Sequence, residues 1–133
     1  MSPLLDTHAW IWWLQGNESL SLKERSTLDD FPRDLRPCIA DISLWEIAAL
    51  YQKARFTIPI PFQLWIERAA HPATVRILPI TPAIAAQLTL LPPSFHRDPA
   101  DRIIVSTARV HGLPLLTKDR KILAAKIVPA WKP

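Results

Sequence analysis

The sequence predicts an α/β fold, a three-layer α/β/α sandwich with a central parallel sheet. Three observations carry this. Short apolar runs alternate with longer stretches of helical pattern along the chain. The runs are apolar throughout instead of alternating with polar residues, as in strands covered on both faces by helices. No internal repeat, low-complexity tract or linker interrupts the alternation, and the 14 prolines punctuate its connections.

The elements follow in order. Residues 2–6 read as a short buried strand and 7–15 as a helix with Thr7 at its N-cap, broken by Gly16-Asn17. A second helix spans about 21–30, opened by Ser21 and Glu24 in capping-box spacing. Pro32 and Pro37 bracket a loop, and Cys38-Ile39-Ala40 is a strand. A helix runs from Ser43 to about Arg55, and Ser43 with Glu46 repeats the capping-box spacing. Residues 56–61 carry two prolines and form an irregular connection. A helix at 62–70 leads to a strand at 75–80. Thr81 caps a helix over 82–91 with Pro82 at its first position. Residues 92–97 are a loop, and 100–111 an apolar helix closed by Gly112. A strand at 114–117, a short helix at 119–124 and a last strand at 126–129 complete the chain.

At 133 residues the chain reads as one domain, 1–133, large enough for a proper core. Apolar residues make up 49% and charged residues 21%, ordinary globular usage. No apolar run reaches the about 18 residues that a membrane span requires, and Asp6 and His8 interrupt any signal-peptide pattern. The single Cys38 makes no internal disulfide, which fits a reducing cytoplasm. A net charge of +4 suits an anionic partner without requiring one. With two glycines, Gly16 and Gly112, there is no phosphate loop of the P-loop or dinucleotide type. Zinc-ligand spacing and the nucleophile elbow are absent as well. Five of the six tryptophans, Trp10, Trp12, Trp13, Trp45 and Trp65, fall in predicted helices, where core packing or a helix interface explains them better than base stacking.

Four acids remain conspicuous. Asp6 and Asp119 follow the carboxyl ends of predicted strands, while Glu46 and Asp101 sit in the first turns of helices. In parallel α/β sheets that edge is where ligands bind. Carboxylates set in apolar segments need a cation or a hydrogen-bond network, and several together suit Mg²⁺ or Mn²⁺. Such an ion activates water for attack on phosphorus without a covalent nucleophile.

The segments Leu4-Leu5-Asp6-Thr7-His8, Ser43-Leu44-Trp45-Glu46-Ile47, His96-Arg97-Asp98-Pro99-Ala100-Asp101-Arg102 and Leu115-Leu116-Thr117-Lys118-Asp119 resemble the motifs of PIN-domain ribonucleases, in particular the VapC-like toxins of toxin–antitoxin pairs. The resemblance implies Mg²⁺- or Mn²⁺-dependent endonucleolytic cleavage of RNA. It makes Asp6, Glu46, Asp101 and Asp119 the catalytic, metal-holding quartet, with Asp6 and Asp101 as direct ligands, Asp119 helping and Glu46 positioning metal or water. Thr117 matches a supporting hydroxyl residue. A homodimer and a small antitoxin partner are implied too.

Several neighbours stay open. Asp98 competes with Asp101 for the site, although its place before Pro99 suits an N-cap. Asp41 is a spare acid, and Glu46 has a purely capping alternative in Ser43. His8 and His96 read as surface or capping residues before phosphate ligands. Arg97, Arg102, Lys118, Arg120 and Lys121 lie beside the acids, where basic side chains could bind RNA phosphates; Lys118 and Arg120 lean towards substrate, whereas Arg102 is equally an internal ion-pair partner. The alternative functions are a processing or repair nuclease without an antitoxin, and a non-catalytic nucleic-acid-binding regulator.

Overall fold

The computed structural model describes residues 1–133. Four short strands, β1 (Leu4–Leu5), β2 (Cys38–Ala40), β3 (Arg76–Leu78) and β4 (Leu115–Leu116), form a wholly parallel sheet in the order β3-β2-β1-β4. Seven α-helices connect and cover it: α1 (Thr7–Gln15), α2 (Leu22–Asp30), α3 (Ile42–Gln52), α4 (Phe62–Ala69), α5 (Pro82–Leu88), α6 (Pro99–His111) and α7 (Arg120–Ala125).

The strand pleat sorts the core into two halves. Leu5, Ile39 and Leu116 face one side, where Trp10, Trp13, Leu28 and Ile47 cover them. Leu4, Cys38, Ala40 and Leu115 face the other, against Ile104, Val105, Ala108 and Ile122. Both strand faces are therefore apolar and the α/β/α sandwich stands as predicted.

Strand order reverses at β1. The chain adds β2 and β3 on one side of it, then returns to place β4 on the other. The register pairs Leu5 with both Ile39 and Leu116, so Asp6 and Thr117 leave the sheet side by side at its carboxyl edge. A crevice opens at such a switch point.

Local chemistry follows the sequence closely in some places. Ser21 and Glu24 form both bonds of the capping box of α2. Thr81 accepts from Ile84 N, with Pro82 beginning α5. Gly112 closes α6 at φ 63°, a left-handed conformation that favours glycine.

Elsewhere the structure corrects the reading. The N-cap of α1 is Asp6, whose Oδ1 accepts from Ala9 N at 2.8 Å; Thr7 instead pairs its hydroxyl with Ser43 Oγ at 2.8 Å. That contact engages Ser43, and α3 starts at Ile42 without a side-chain cap, so no capping box forms with Glu46. Glu46 lies beyond the first turn of α3. The last predicted strand, 126–129, does not form. Only Ala130 bridges to Leu115, through Leu115 N to Pro129 O and Trp131 N to Leu115 O. Trp10 and Trp13 are buried in the chain's own core, Trp12 on the same helix is half-buried, and Trp45 on α3 is exposed.

Candidate active site

The sheet's carboxyl edge carries a cleft of about 370 Å³ lined by Asp6, Thr7, His8, Trp12, Glu46, Asp98, Asp101, Lys118 and Asp119. All four singled-out acids reach it, each from a different element. Asp6 comes from the β1–α1 junction and Glu46 from α3. Asp101 comes from the first turn of α6 and Asp119 from the N-cap of α7.

Each is held by its local fold. Asp6 is buried, with one oxygen on Ala9 N. Burial pushes its carboxyl above the usual range, opposed by the Thr117 hydroxyl, the Ala9 N–H and His8, while Glu46 adds repulsion. Asp119 Oδ1 accepts from Lys121 N at 2.8 Å and Ile122 N at 3.0 Å, and its own N–H donates to Thr117 Oγ1 at 3.1 Å. Thr117 thus bonds to the Asp119 backbone and favours the charged form of Asp6.

Asp101 is perturbed in the same direction as Asp6. Burial first, then repulsion from Asp98, Glu46, Asp119 and Asp6, pushes its carboxyl up to about 7. His96 Nε2 lies 3.4 Å from Asp101 Oδ2 without forming a hydrogen bond.

The ambiguous residues separate. Asp98 caps α6 through Asp101 N at 3.0 Å and also lines the cleft. Asp41 is absent from the lining and accepts from Ile80 N at 3.0 Å, tying the end of β3 to α3. Arg102 pairs with no acid; its guanidinium donates to the Phe95 and His96 carbonyls and lies over the Phe95 ring. Lys118 was read towards substrate, but its ammonium is bound by Glu24 at 2.8 and 3.0 Å. Arg97, Arg120 and Lys121 form no ion pair.

Five carboxylates therefore share a cleft whose single cationic lysine is already paired. Oxygen-only donors around uncompensated negative charge are the ligand chemistry of Mg²⁺ and Mn²⁺. Asp6, Glu46, Asp98, Asp101 and Asp119 all bring such oxygens to the cleft. No three acidic or histidine side chains are gathered to enclose an ion by themselves.

One lining residue, Trp12, and the partner of another, Glu24, were missed in the sequence. Trp12 was assigned to the core, yet His8 and Trp12 stand four apart on one helix face, and a cleft role for one brings in the other. Glu24 was read only as a cap; no local signal points to Lys118, 94 residues away.

Fold and cleft together define a parallel α/β protein with a carboxylate-lined site at its switch point. Residues 4–127 match the PIN domain family, and the chain belongs to it. It is 38% identical over 119 residues to ribonuclease VapC22 of Mycobacterium tuberculosis, the match covering 90% of this chain and 88% of that protein. Among solved structures it is similar to a toxin–antitoxin complex from Klebsiella pneumoniae, with a TM-score of 0.61 and 25% identity over 92% of this chain and 91% of that one. The family read from the four acidic segments is thus the family found.

Proposed function

We propose that this chain is a Mg²⁺- or Mn²⁺-dependent endoribonuclease acting as the toxin of a toxin–antitoxin pair. The observation that carries the reading is the convergence of Asp6, Glu46, Asp101 and Asp119 on one cleft. The substrate and partner classes are supported by the relatives, one a ribonuclease and one a toxin–antitoxin complex.

Asp6 and Asp101 would hold the ion directly, with Asp119 assisting and Glu46 orienting the ion or the attacking water. When bound, the ion supplies an acidified water and neutralises charge on the phosphate. Asp6 is suited to its part because Ala9 N occupies Oδ1 and keeps the carboxylate pointed from the sheet edge. Asp119 is similarly restrained by two backbone N–H groups. Thr117 bonds to the Asp119 backbone and favours the charged form of Asp6. Asp101, buried and repelled by its neighbours, is a group whose charge a cation would stabilise. A homodimer and a small antitoxin belong to the same reading. No helix is long and apolar enough to cross a membrane, and we place the activity in the cytoplasm.

The test is cleavage of RNA by the purified protein in Mg²⁺, in Mn²⁺ and in EDTA, with growth arrest on expression as a second readout. Cleavage should require the ion, and arrest should be relieved by co-expressing a small neighbouring reading frame. Cleavage that persists in EDTA would overturn the mechanism.

A further inference from the structure

The acid cleft does not end at its acids. On one flank it shares His8 and Trp12 with an adjoining pocket that runs towards Arg55. On the other it shares Asp98, Asp101 and Asp119 with a wholly polar pocket lined by Arg97, Arg120 and Lys121. The shared residues make the three hollows one groove with unlike ends.

Trp12 is the one apolar side chain in the acid cleft. It is half-buried, unlike Trp10 and Trp13 beside it, which are buried in the core. Its ring lies 5.8 Å from that of exposed His8, tilted by 46°. At the far end Arg97, Arg120 and Lys121 are exposed and form neither ion pairs nor side-chain hydrogen bonds, whereas Lys118 and Arg102 are both engaged. An aromatic platform recognises a splayed base, and free cations recognise a backbone.

We propose that the groove binds single-stranded RNA in one orientation, with a base beside the cleaved bond stacked on Trp12 and His8, and the phosphates on the other side held by Arg97, Arg120 and Lys121. This rests on the ribonuclease reading. A duplex cannot offer the stacked base without unpairing, so the groove selects loops and unpaired ends.

The test is binding of a fluorescein-labelled, mixed-sequence single-stranded oligoribonucleotide to Asp101→Asn protein across a salt series, with the matching duplex alongside. Trp12→Leu should weaken single-strand binding by about tenfold with an unchanged salt slope, and Trp12→Phe should largely restore it. The triple variant Arg97→Ala/Arg120→Ala/Lys121→Ala should reduce the slope of log K against log salt by about two. Because Trp12 also touches the core, exposed His8→Ala is the second variant, expected to weaken binding several-fold. Equal binding by the Asp101→Asn protein with and without His8→Ala, together with an unchanged salt slope in the triple variant, would overturn the inference. So would variants that weaken antitoxin binding but not RNA binding. RNA cleavage persisting in the Asp101→Asn protein would overturn the ribonuclease mechanism itself, and the inference with it.

Discussion

Lys118 Nζ reaches both carboxylate oxygens of Glu24, at 2.8 and 3.0 Å, joining the end of β4 to the first turn of α2 across 94 residues. Glu24 also accepts from Ser21 N at 2.8 Å, so one buried carboxylate caps a helix and holds a lysine at the rim of the acid cleft. Burial alone would raise its carboxyl, but the Lys118 ammonium and the Ser21 groups bring it below the ordinary value.

Glu24→Gln keeps the Ser21 contact and loses the charge on the pair. It should cost about 1–2 kcal/mol in urea unfolding at neutral pH, the scale of a charged hydrogen bond. The lowered carboxyl contributes stability above its ordinary value of 4.5 and loses it as pH falls through the folded value. The difference between wild type and variant should therefore shrink in acid.

Thr7→Val should test the junction between α1 and α3. It leaves the buried Ser43 hydroxyl without Thr7 Oγ1, costing about 1–3 kcal/mol. Thr7→Val/Ser43→Ala removes both partners and should recover much of that loss in the same denaturation experiment. If the double variant is as unstable as the sum of the two single variants, the hydroxyl pair is not what joins the helices.

Metal-free stability should fall with rising pH. Asp101 titrates at about 7 when folded, against an ordinary 3.8. Between those values the folded state binds more protons than the unfolded one, so stability is lost as pH climbs from about 4 to 7. Buried Asp6 shifts in the same direction. Melting in EDTA at pH 5 and pH 8 should give the lower Tm at pH 8, and Asp101→Asn should flatten the difference. Added Mg²⁺ should raise Tm mainly at the higher pH, where the carboxylates are charged.

Much of the fold was legible because its signals are local. The apolar runs at Leu4–Leu5 and Leu115–Leu116 mark strands covered on both faces, and Ser21, Thr81 and Gly112 mark helix ends by side-chain chemistry that needs no partner elsewhere. The gathering of Asp6, Glu46, Asp101 and Asp119 followed from placing each at one sheet edge. What failed depends on distant partners. Ser43 has the spacing of a cap, but Thr7 arrives from 36 residues away and takes its hydroxyl. Lys118 looked free until Glu24 reached it, and Arg102 turns to two carbonyls of the preceding loop. Residues 126–129 are apolar enough for a strand, yet only Ala130 meets the edge of β4.

In the proposed function, four carboxylates from four elements act as one metal site. Mn²⁺ binding measured by electron paramagnetic resonance, on wild type and on Asp6→Asn, Glu46→Gln, Asp101→Asn and Asp119→Asn proteins of verified fold, tests it most directly. Wild type should bind the ion saturably, with severe weakening in Asp6→Asn and Asp101→Asn and a smaller effect in the other two. Mn²⁺ bound equally well by wild type and by the Asp6→Asn and Asp101→Asn proteins would contradict the proposed function.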